Sequence, residues 1–136
     1  MSPKRIQQRY TDFQNALKKL KTALAEDPRQ AAGTVLDGTI QRFEFTFELA
    51  WKLAKSILDY QGIAAGNPRD VIKEAFAQNF FKDGDAWIAM LEDRNRTSHV
   101  YDEEQVLQIY HKIKKKYYSL LEEFCKKIDE VVRRSS

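Results

Sequence analysis

Residues 37–60 read DGTIQRFEFTFELAWKLAKSILDY. At about 100° per residue, Ile40, Phe43, Phe47, Ala50, Trp51, Ala54, Ile57 and Leu58 fall on one side of a helix. Phe45, Leu49 and Leu53 widen the apolar arc to roughly 200° on the same arithmetic. That is too wide for a helix with one neighbour. Either this is the central helix of a bundle, or it also faces a second subunit. The polar strip left over is narrow: Gln41, Glu44, Glu48, Lys52, Lys55 and Asp59.

The flanking segments carry the same period. Ser2 and Pro3 pair an N-cap with proline at the first helical position. Ile6, Tyr10, Phe13, Leu17, Leu20 and Leu24 follow at alternating steps of four and three. Asp27-Pro28 stops that helix, since the residue before proline is pushed out of the helical region. Asn67-Pro68 opens a short helix bearing Val71, Ile72, Ala75 and Phe76, expected to fray at Asn79-Phe80-Phe81. A further helix starts near Asp83 or Asp85 and includes Trp87, Met90 and Leu91. The last runs from Asp102 to about Arg134, with Val106, Ile109, Ile113, Tyr117, Leu120, Phe124, Ile128 and Val131 as its stripe. At ~1.5 Å per residue it is near ~50 Å long, so it must overhang, bend or pair with another chain. Asp102 and Gln105 read as a capping box, with Tyr101 and Val106 as its staple.

Composition agrees. The chain has 136 residues, 43% apolar and 32% charged, with five glycines and three prolines. That is one domain over 1–136, able to bury a core and poor in turn residues. The expected fold is an all-α, up-and-down antiparallel bundle of four main helices plus a short one. Cys125 is the single cysteine, which excludes an intrachain disulfide and a multi-cysteine metal site. No stretch approaches ~18 uncharged apolar residues, and Met1–Ile6 lacks the apolar core of a signal peptide. A soluble cytoplasmic protein, with no membrane partner, is the expectation. The net charge of +3 permits nucleic-acid binding without arguing for it.

The chemistry gathers in residues 91–102. Arg94 falls between Trp87, Met90 and Leu91, a cation in an apolar stripe. Such a guanidinium needs a carboxylate, a set of carbonyls or an anionic ligand. Glu44 and Glu48 are the internal candidates. A structural Arg–Glu bridge and an anion site are both open at this point. Asn95 and His99 share a face at i, i+4. Arg94 and His99 are about 140° apart on a regular helix, so either the helix ends before His99 or two copies meet across a dimer. Histidine can act as general base or acid in attack by an RNA 2′-hydroxyl. Arginine can stabilise the charge on the phosphorane, and asparagine can orient either group. That chemistry calls for no metal and no cofactor. His111 has no assigned role, and the lysines of the last helix read as a solvated face.

Three runs then carry a resemblance: IQRFEFTFELAWK at 40–52, NPRDVIKEA at 67–75 and MLEDRNRTSHVY at 90–101. They strongly resemble the nucleotidyltransferase substrate-binding protein family of the HEPN superfamily, over most of the chain. The resemblance implies a HEPN-like helical bundle that forms a homodimer and binds a separate minimal nucleotidyltransferase. Related pairs behave as toxin–antitoxin systems. In those, the HEPN subunit is a metal-independent ribonuclease using Arg-x4-6-His, and the transferase silences it by AMPylation of a tyrosine in Arg-x4-His-x-Tyr. On that pattern Arg94, Asn95 and His99 are the catalytic candidates and Tyr101 the modification candidate. Glu44, Glu48, Trp51 and Lys52 are supporting or partner-binding residues, and RNA is the candidate substrate. The other reading is a non-catalytic substrate-binding or adaptor dimer for the transferase.

Overall fold

The computed structural model describes residues 3–99 and 102–135. Its long helices are α1 (Pro3–Leu24) and α2 (Thr34–Tyr60), followed by α3 (Pro68–Ala77) and α4 (Gly84–Thr97). The last helix divides into α5 (Glu103–Lys112), a π turn (Ile113–Tyr117) and α6 (Tyr118–Ser135). No strand occurs among the described residues. None of the helices is long and apolar enough to cross a membrane.

The caps follow local chemistry. Asn67 accepts a hydrogen bond from the Asp70 backbone N–H at 2.9 Å, with Pro68 at the first helical position. Asp83 caps α4 through the Ala86 N–H, and Asp102 caps α5 through the Glu104 N–H. Ser2 and Tyr101, the expected first cap and staple residue, lie outside the described residues. The second helix starts at Thr34 rather than Asp37, after a left-handed passage through Ala31, Ala32 and Gly33.

The wide apolar arc of α2 is used within the chain. This helix packs on α1, α3, α4 and α5, and α1 also meets α6. Phe43, Phe47, Ala50, Leu53, Ala54 and Leu58 are fully buried, whereas Phe45 stays 60% exposed. Where α1 and α2 cross, the buried Thr46 hydroxyl lies 3.3 Å from the Ala16 carbonyl and 2.6 Å from that of Arg42. Tyr10 ties α1 to α6 by donating to Asp129 at 3.0 Å.

An aromatic cluster fills the core. Trp87 stacks on Phe81 at 3.9 Å between centroids and meets Phe124 edge-on at 5.5 Å. Phe124 also packs on Phe13, and Phe43 stacks on Tyr117. Phe80 and Phe81 therefore correct the expectation of a frayed end. They leave the helix but are buried, because the turn after α3 delivers them into the core. The last helix is interrupted by a π turn. Beyond it Leu121 is fully buried and Leu120 only partly, since the wider turn delays the helical phase.

Trp87→Ala is expected to cost about 3–5 kcal/mol, the range for losing a large buried aromatic. Urea unfolding followed by far-ultraviolet circular dichroism measures it, and a loss below ~1 kcal/mol contradicts the packing described.

Candidate functional site

Arg94 lies in the last turn of α4, where Phe47 and Leu91 supply the apolar wall of its cleft. Its side chain is 31% exposed, and Nη2 donates to Glu48 Oε2 at 3.1 Å. Nη1 donates to Asn95 Oδ1 at 3.3 Å. Nε is buried and has no hydrogen-bond partner. Glu48 is shared further: Trp51 Nε1 donates to Oε2 at 3.1 Å, and Lys52 Nζ stands 3.7 Å from Oε1. The i, i+3 and i, i+4 spacing on α2 makes this possible, since those positions are neighbours on a helix face.

The cleft over this cluster has a volume of about 250 Å³. Asn67, Pro68 and Arg69, at the start of α3, form its other side. Arg69 pairs with Glu92 at 3.4 Å, with both side chains near half exposed, so the contact contributes little to stability.

Glu44 is placed differently. It accepts a close hydrogen bond from Thr97 Oγ1 and lies 3.5 Å from Ser98 Oγ. It therefore holds the C-terminal end of α4, one turn of α2 away from Glu48. The helix stops at Thr97, and His99 sits in the following turn, its N–H bonded to the Arg96 carbonyl at 3.0 Å. The imidazole is exposed and does not line the Arg94 cleft. Of the sequence candidates, the structure thus joins Arg94, Asn95, Glu48, Trp51 and Lys52; Glu44 holds the end of α4, and His99 stands in the turn after it. Tyr101 lies outside the described residues.

Asp93 was not among the sequence candidates. Its side chain is 6% exposed and faces the last helix, whereas Arg94 faces α2. It accepts from Tyr117 Oη, from Lys112 Nζ at 3.3 Å and from Arg96 Nη1 at 3.4 Å. Tyr117 closes the π turn, so the irregularity of the last helix lies at this buried carboxylate. Burial, with Asp93 next, pushes the Tyr117 hydroxyl well above the ordinary tyrosine range. A signal existed in the sequence: Ala86, Met90, Asp93 and Thr97 step by four, three and four, a second stripe on α4. Among the described residues no group of three or more His, Cys, Asp and Glu is gathered as a metal site.

Residues 8–130 match the family described as "Nucleotidyltransferase substrate binding protein like". The chain belongs to this nucleotidyltransferase substrate-binding family. One relative, named "Probable ribonuclease HepT", from Haemophilus influenzae, is 34% identical over 91 residues, covering 63% of this chain. The match spans 62% of that relative's length. A crystal structure from Thermus thermophilus shares 31% identity with a TM-score of 0.73, over 82% of this chain and 94% of that one. A Haemophilus influenzae structure, described as revealing the fold of a substrate binding domain of a nucleotidyltransferase, covers 97% of this chain and 99% of its own. At 24% identity and a TM-score of 0.66, it shows that the family's helical fold is the one adopted here.

Tyr117→Phe is expected to destabilise the protein by about 1–3 kcal/mol at neutral pH, by stripping a buried carboxylate of one donor. The sign with pH follows from the raised tyrosine. Below pH 10 the hydroxyl is protonated in both states and its contribution is complete. Above pH 10 the unfolded chain ionises first, so stability falls, and the fall is shallower in Tyr117→Phe. Denaturant midpoints between pH 7 and 11 measure both effects.

Proposed function

We propose that this chain is the partner subunit of a separate minimal nucleotidyltransferase, that it acts as a homodimer, and that it is the toxin-type component of the pair. Its chemistry is metal-independent endoribonuclease action by Arg94, Asn95 and His99. The observation that supports this most is the state of Arg94. Its guanidinium is oriented by Glu48 and Asn95 in the wall of a cleft, with the side chain still 31% exposed. A phosphate oxygen is the acceptor that such a group suits best. The names carried by the relatives point the same way.

In this reading His99 takes the proton from a 2′-hydroxyl, whose oxygen attacks the adjacent phosphorus. Arg94 stabilises the added charge on the phosphorane. The bond to the 5′-oxygen breaks, that oxygen receives a proton, and a 2′,3′-cyclic phosphate remains. His99 is exposed, so the imidazole is available to the same anion as Arg94 or to that of a second protomer. Modification of Tyr101 by AMP, two residues beyond His99, would place added negative charge beside the site and oppose RNA binding.

Purified protein incubated with RNA in EDTA is expected to cut it. His99→Ala and Arg94→Ala should each lower the rate by roughly 10²–10⁴-fold with helicity unchanged. Cleavage unaffected by His99→Ala overturns the assignment. The dimer is tested separately. Sedimentation should give a dimer at micromolar concentration, and Phe45→Glu, at a large exposed aromatic in the middle of α2, should shift it toward monomer.

The second reading is a non-catalytic adaptor that holds the transferase or its substrate. It draws on Glu48, which already compensates Arg94 in the free protein, and on a cleft whose lining excludes His99. Stable copurification with the transferase, together with no cleavage by the chain alone, selects it.

A further inference from the structure

Beyond the Arg94 cleft, a larger groove of about 560 Å³ runs between α1 and α2. Arg5 and Arg9 line it from α1, and Lys52 and Lys55 line it from α2. Asp59 is its one carboxylate, and Lys55 holds that group at 3.0 Å. Lys52 leans toward Glu48 at 3.7 Å. Arg5 and Arg9 have no ion-pair partner among the described residues, and Arg9 Nε is buried without an acceptor. Two like charges at i, i+4 on one helix repel. An unsatisfied buried guanidinium N–H is costly besides. An anion in the groove would relieve the repulsion.

The groove also carries aromatic surface. Tyr60 is 52% exposed at the end of α2. Trp51 lines both this groove and the Arg94 cleft, and its indole is fixed by the bond from Nε1 to Glu48. Basic side chains along a groove with aromatic faces between them suit a single-stranded nucleic acid, whose phosphates pair while its bases stack. A peptide would leave Arg5 and Arg9 uncompensated unless it were acidic. A duplex buries its base faces and could not use Tyr60 or Trp51.

We propose that the α1–α2 groove is a binding track for the phosphodiester backbone of single-stranded RNA, leading past Trp51 into the Arg94 cleft. Arg5 and Arg9 take phosphates, Lys52 and Lys55 add charge, and Tyr60 stacks on a base. The choice of RNA rests on the ribonuclease reading; the groove's preference for a polyanionic single strand does not.

The test is fluorescence anisotropy with a labelled 12-nucleotide single-stranded RNA, on full-length protein carrying His99→Ala so that the probe stays intact. Adding Arg5→Gln and Arg9→Gln together should weaken binding by about tenfold or more. It should also reduce the slope of log affinity against log salt by roughly 1.4, or ~0.7 per lost phosphate contact. Tyr60→Ala should weaken binding by at least about fivefold through lost stacking. Lys114→Gln with Lys115→Gln, exposed outside the groove, should change it little. Equal affinity in the Arg5/Arg9 variant overturns the track, as does a chain that binds no RNA. Should the double variant fail to fold, Lys55→Gln with Tyr60→Ala, on an intact α1, decides the matter by the same loss of affinity. ATP binding that depends on Arg9 while RNA binding does not would make the groove a mononucleotide site and overturn the proposal. Cleavage by the otherwise unmodified chain separates the two ideas. RNA binding lost with Arg5 and Arg9 but no cleavage retains the track and removes the ribonuclease. Cleavage with an unchanged KM in the Arg5/Arg9 variant does the reverse.

Discussion

A guanidinium set against an apolar wall has to find negative charge, and in this protein Arg94 finds it one helix away on Glu48. That contact keys α4 to α2. It works with a second one a turn earlier on α2, where Glu44 receives Thr97 and approaches Ser98. Four residues at ~1.5 Å per residue separate the two carboxylates by about one helical pitch. Arg94 and Thr97, three residues apart on α4, meet them at a matching interval. From the other side, Asp93 binds that same stretch of α4 to Lys112 and Tyr117 on the last helix. The end of α4 is thus gripped on two faces, and the direction in which the chain leaves toward His99 follows from that grip.

Such a grip is not what a helical bundle needs for stability alone. Buried ion pairs are often matched or exceeded by apolar residues of similar volume, because desolvation offsets the Coulomb attraction. The aromatic cluster of Phe13, Phe81, Trp87 and Phe124 already welds α1, α4 and α6 together without any charge. A purely structural bridge would also be expected to satisfy its arginine, yet Nε of Arg94 remains without an acceptor. The observed arrangement is that of a cation held between Glu48 and Asn95 and still partly open to the cleft.

What could be read from the sequence was local chemistry. The caps at Asn67 and Asp102 depend on residues within three positions, and both are in place; the start left between Asp83 and Asp85 falls at Asp83. The width of the α2 arc left open a central helix or a second subunit, and the chain itself packs that helix on α1, α3, α4 and α5; the charge on Arg94 called for a carboxylate, carbonyls or an anion, and Glu48 is the partner found within the chain. The misreadings were non-local. Phe80 and Phe81 looked like the end of a helix, because nothing nearby says that Trp87 and Phe124 wait to receive them. Asp93 was hidden between Glu92 and Arg94, in a run of charges that looks solvated until the last helix is folded over it. The angular conflict between Arg94 and His99 was legible. Within the chain the helix stops at Thr97, where Glu44 receives Thr97 and approaches Ser98, and His99 follows outside the Arg94 cleft.

The narrow polar strip of α2 gives one further step. It is not evenly mixed: Glu44 and Glu48 come first, then Lys52 and Lys55, with Asp59 last. Trp51 stands where the sign changes, and it borders both cavities. The acidic half turns to α4 and compensates a cation there. The basic half turns to α1 and meets two more cations, Arg5 and Arg9. Within α2 the Glu48–Lys52 pair has the favourable order, acid before base at i, i+4. Across the strip as a whole, positive charge accumulates on the α1 side while the α4 side is nearly balanced. A surface required only to stay hydrated would gain from pairing those charges, and residues of either sign were at hand on both helices. Separation of charge along one helix, with an aromatic residue at the boundary, leaves a positive groove on the α1 side that adjoins the Arg94 cleft through Trp51.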